Sequence, residues 1–135
     1  MTLSISRIAW ALVSAFIVIG SLGEWAPNQP GVWAPMLVSL SDVAQNVLVY
    51  LPFGVFGVLS FSDSQPARRS SEGAKVGHWL RPVIRVTGLA ILFAASNEAM
   101  QLYTLDRVAS LIDIASAAIG AAAGGLTISS WRSPK

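Results

Sequence analysis

Four long apolar stretches, separated by polar or helix-breaking segments, set the pattern of this chain. They run from about residue 5 to 22, 43 to 61, 82 to 103 and 111 to 131. Each is close to the ~20 residues that a helix needs to cross ~30 Å of hydrocarbon. Strands of a membrane barrel would be ~10 residues long with strict alternation of apolar and polar positions, a pattern that does not occur here. The spacing predicts an all-α protein that crosses the bilayer four times. Pro27, Pro30, Gly31 and Pro35 break helix between the first and second stretches. Residues 62–81 form a polar loop, and the short connection 102–110 holds Asp106 and Arg107.

Composition supports this reading. Charged residues make up 12% of the 135 positions and hydrophobic ones 53%, about half the charge of a soluble domain, which is roughly 25%. The length suits one domain over residues 1–135. With no cysteine and only His78, thiolate and multi-histidine metal sites are excluded. Neither metal nor cofactor is expected. The net charge of +2 is too small for a nucleic-acid surface.

The basic residues set an orientation. Of the nine Lys and Arg, only Arg107 falls on the side of the first and third connections. Arg7, Arg68, Arg69, Lys75, Arg81, Arg85, Arg132 and Lys135 share the other. The positive-inside rule then places both termini in the cytoplasm. Trp25, Trp33 and Tyr103 fall near the outer interface, with Trp79 and Trp131 near the inner one. An alternative for the first stretch is a cleaved signal peptide, with Ser21 and Gly23 as the small residues before the cut.

Polar residues inside the spans cost a few kcal/mol each unless a partner offsets them, so they are candidates for function. Asp42 and Asn46 open the second helix, Glu98 and Gln101 close the third, and Asp113 begins the fourth. With Arg107, three segments are expected to bring six polar residues together near the outer leaflet. A structural account competes for some of them: Asp42 and Asp113 sit where acids cap helix N-termini, and Arg107 with Glu98 would make an ion pair locking a hairpin. Glu98 lies four or five residues inside an apolar segment and is expected to have no cap role. Ser116, Gly120 and Gly124 form a small-residue ladder suited to close helix packing, while Pro52 and Gly54 predict a kink in the second helix.

The run from Asp42 to Gly54, DVAQNVLVYLPFG, resembles the Asp-x-x-x-Asn and Pro-Phe-Gly signature of VanZ-like membrane proteins. Ser96 to Gln101, SNEAMQ, is similar to that family's Glu-x-x-Gln element. Arg107, Ser110 and Asp113, followed by Gly120, resemble its Arg-x-x-Ser-x-x-Asp pattern and closing glycine. One position departs, since Ala117 stands where the family usually has Asn. The resemblance implies a multi-pass protein of the bacterial inner membrane and cell envelope, in a family linked to resistance to the glycopeptide antibiotic teicoplanin. No settled reaction comes with it.

Three functional readings follow. The first is an envelope protein whose polar cluster binds a polar or anionic group, such as a lipid-linked envelope precursor, with Arg107 on the phosphate or carboxylate. In the second, a non-enzymatic accessory subunit docks on a larger membrane protein complex through Ser116, Gly120 and Gly124. In the third, Glu98 and Asp113 act as a catalytic carboxylate pair. Membrane lipids are expected partners in all three, and whether a reaction is catalysed is left open.

Overall fold

The computed structural model describes residues 4–21, 32–33, 39–62, 77–103 and 108–132. Four helices account for the apolar stretches: α1 (Ile5–Ser21), α2 (Leu40–Ser62), α3 (Gly77–Gln101) and α4 (Leu111–Arg132). The last three are long and apolar enough to cross a membrane. At 17 residues α1 is apolar but shorter, spanning about 25 Å at 1.5 Å per residue. Helix α3 starts at Gly77, ahead of the apolar stretch, and carries Pro82 inside it. Polarity marks where a helix enters hydrocarbon, and the helix itself extends beyond that point.

A feature absent from the hydrophobic pattern joins two connections. Strands β1 (Val32–Trp33) and β2 (Val108–Ala109) pair in parallel, with Val32 opposite Val108 and Trp33 opposite Ala109. Two residues per strand leave no periodicity to detect. The pairing holds the α1–α2 and α3–α4 connections at one end of the bundle. The start of α2, the end of α3 and the start of α4 therefore share that end.

Helices α2 and α4 make the most intimate contact, and glycine is the reason. A Cβ on Gly120 would run into the backbone carbonyl of Val47, and one on Gly124 into that of Leu51. From the other side, a Cβ on Gly54 would strike the carbonyl of Ala121. Backbone cannot yield as a flexible side chain can, so these positions admit no larger residue without separating the helices. Gly54 thus serves close approach, and α2 runs as one helix through Pro52. Neighbouring helices and local adjustment commonly re-satisfy the backbone around a proline in membrane helices.

Beside this seam, Val58, Val86, Ala90, Ala117 and Ala121 are almost wholly enclosed. Gly57 faces Val86, and Gly125 faces Val58 and Val83, which brings α3 into the same core. Helix α1 joins through aromatic rings. Trp10 lies 5.4 Å from Phe53 and 5.7 Å from Phe61, centroid to centroid. Ile17 is its buried residue, while Ile5, Leu12, Phe16 and Ile19 point outward. Such an outward apolar stripe suits lipid and would be costly in water.

Candidate functional site

The shared end of the bundle collects polar groups. Asn97, Glu98, Gln101, Ser110 and Ser116 are buried there, with Asn46 and Asp113 half-buried beside them. Their arrangement grows from the N-terminus of α4, whose first backbone N–H groups have no partner within the helix. Ser110 caps it, its Oγ accepting the N–H of Ile112 at 3.2 Å. Asp113 then occupies the third helical position. In a usual capping box that acid accepts the N–H of the cap residue. Here the N–H of Ser110 goes to Glu98 Oε2 of α3, at 2.7 Å. Asp113 Oδ1 accepts a hydrogen bond from Asn46 Nδ2 of α2, also 2.7 Å. The α4 cap is thereby assembled from three helices.

This corrects one inference from the sequence. Glu98 does have a capping role, for the N-terminus of a different helix. Counting positions along its own segment could not reveal that. Charge-assisted hydrogen bonds of this length are roughly twice as strong as neutral ones, and they offset part of the cost of enclosing a carboxylate.

The predicted residues divide as follows. Asn46, Glu98 and Asp113 meet across α2, α3 and α4 through the cap. Gln101 is buried on the last turn of α3, one turn beyond Glu98. Asp42 lies in the first turn of α2 and is exposed, one turn above Asn46, so it stands at the rim. Arg107 lies outside the described residues, and its pairing with Glu98 is an expectation from sequence. Ser116, Gly120 and Gly124 are all buried, and α2 covers both glycines.

Two residues were missed. Tyr50, buried on α2, sits beside the Asn97 side chain and within electrostatic reach of Glu98. Asn97 itself is 7% exposed, and among the described residues its Nδ2 meets no acceptor at full hydrogen-bond geometry, the Tyr50 hydroxyl being its near partner. A buried amide nitrogen so weakly satisfied is unusual, because its desolvation is only partly compensated. Its position next to Glu98 was the available signal. The cap accounts for Asn46, Glu98, Ser110 and Asp113; it does not account for Asn97.

Three long apolar helices, a fourth shorter one and a polar cluster at one end define a multi-pass membrane protein. The family model for VanZ/LLP1 matches residues 4–132, nearly the whole chain, and the chain belongs to that family. No curated protein and no solved structure matches it.

Proposed function

We propose that this protein binds a polar or anionic group presented at the membrane surface, most simply the head of a lipid-linked envelope precursor, in the cluster around the α4 cap. The observation that carries the reading is Asn97: among the described residues its buried amide nitrogen meets no acceptor at full hydrogen-bond geometry and has only the Tyr50 hydroxyl close by, beside Glu98. A guest oxygen would supply that acceptor. Arg107, which immediately precedes β2 in sequence, is assigned the anionic part of the guest, as its planar guanidinium suits phosphate or carboxylate. Gln101 borders the same end as a further amide.

In this proposal the protein resides in the bacterial inner membrane as part of the cell envelope, with both termini cytoplasmic and the cluster at the outer leaflet. The distribution of Lys and Arg supports that orientation. A role in glycopeptide resistance rests on the family alone. The accessory-subunit reading loses the surface first assigned to it, because α2 of the same chain occupies Gly120 and Gly124. It would need another face, such as the outward stripe of α1.

Affinity purification from native membranes, followed by mass spectrometry of bound lipids and proteins, tests the proposal. Enrichment of polyprenyl-phosphate species, lost in Asn97→Leu and Arg107→Gln, is the expected result. A protein partner at fixed stoichiometry with only bulk phospholipid would favour the accessory reading.

A further inference from the structure

At the opposite end of the bundle, α3 carries two cations on its outer surface. Arg81 and Arg85 are both exposed and four residues apart, so they stand one above the other on one helix face. The separation along the axis is about 6 Å, at 1.5 Å per residue. Among the described residues neither pairs with a carboxylate. Arg85 lies inside the apolar span Leu80–Gln101, where an exposed charge is costly and its side chain must stretch toward the headgroups.

Directly beside Arg85 is an open groove of about 550 Å³, lined by Phe61 from the end of α2 and by Gly88, Leu89, Ile91 and Leu92 of α3. That size falls within the ~300–1,000 Å³ of small-molecule sites. Its walls are apolar apart from Arg85. Gly88 leaves bare backbone, and a Cβ added there would meet nothing within 4 Å. Position 88 thus opens onto the groove, which runs away from the two cations along α3.

We propose that this groove holds one anionic phospholipid, with its phosphate between Arg81 and Arg85 and one acyl chain lying over Gly88. Guanidinium groups engage phosphate oxygens through paired, charge-assisted hydrogen bonds. The phosphate compensates a cation that the membrane otherwise penalises, and the chain covers the apolar walls. A zwitterionic lipid supplies the same chain, but its own ammonium competes for the phosphate. The selectivity thus comes from charge, and retention comes from the groove. This site is separate from the polar cluster and stands or falls without it.

The test uses the full chain in vesicles of equal parts phosphatidylglycerol and phosphatidylethanolamine, with retained lipid measured by native mass spectrometry. Wild type should retain phosphatidylglycerol in preference by roughly tenfold or more. Arg81→Gln with Arg85→Gln should abolish the preference. Gly88→Leu should lose the lipid while keeping its detergent melting temperature, since the new side chain enters open space. Equal retention of the two lipids by wild type would overturn the proposal. So would a Gly88→Leu variant that folds and still retains phosphatidylglycerol. A wild-type dimer that Gly88→Leu converts to monomer would also overturn it, by showing that a second copy fills the groove.

Discussion

Glu98 of α3 accepts the backbone N–H of Ser110, the residue that caps α4, at 2.7 Å. This bond needs an oxygen at position 98 but not a charge. Glu98→Leu, which loses the acceptor as well as the charge and leaves a buried N–H unsatisfied, should therefore cost about 1–3 kcal/mol more than Glu98→Gln. Thermal unfolding of both variants in detergent checks the difference. Equal losses would mean that the charge matters more than the cap.

The charge has its own test. If Glu98 and Arg107 pair in a low-dielectric setting, removing either strands the other, typically at several kcal/mol. Glu98→Gln combined with Arg107→Gln should then be less damaging than the sum of the single changes. Stability rescued with lipid binding still lost marks a binding arginine. Strict additivity would show that the two do not meet.

Asn46 Nδ2 donates to Asp113 Oδ1 at 2.7 Å, joining α2 to α4 above their glycine seam. Asn46→Ala should lower stability by about 1.5–3 kcal/mol, the usual range for a hydrogen bond to a charged group. Asp113→Asn retains an acceptor for Asn46 and should cost less. The same unfolding assay ranks them, and the reverse order would contradict the contact.

Glycines provide a graded packing test. Gly124→Ala pushes a Cβ into the carbonyl of Leu51, and Gly120→Leu does worse against Val47. Overpacking of this kind typically costs about 1–3 kcal/mol. Gly20→Ala, where an added Cβ meets nothing within 4 Å, should be neutral or slightly stabilising. A tolerated Gly120→Leu would mean that α2 and α4 can part without penalty.

What could be read from the sequence followed from periodicity and cost. Helices were visible because hydrocarbon demands long apolar runs, and Glu98 stood out because a carboxylate in such a run is expensive. The β1–β2 pair was not visible: two residues carry no pattern. Nor was the capping role of Glu98, which depends on α4 arriving beside α3. Asn97 escaped notice because an amide next to a signature glutamate reads as filler until its burial and its neighbours are known. Asp42 drew attention as an acid, yet the geometry leaves it exposed at the rim.

The central claim is that the α4 cap cluster contains a donor kept for a guest, and Asn97→Leu tests it most directly. Leucine keeps the branched shape and the number of side-chain heavy atoms and removes the amide, so the fold is relieved of a weakly satisfied buried polar group whose cost is about 1–3 kcal/mol. The purified variant and wild type should be compared for melting temperature in lipid-free detergent and for affinity toward a polyprenyl phosphate. The account predicts a higher melting temperature together with roughly tenfold or greater loss of affinity, equivalent to about 1.4 kcal/mol. A lower melting temperature with unchanged affinity would contradict it, because Asn97 would then be a structural residue satisfied within the fold.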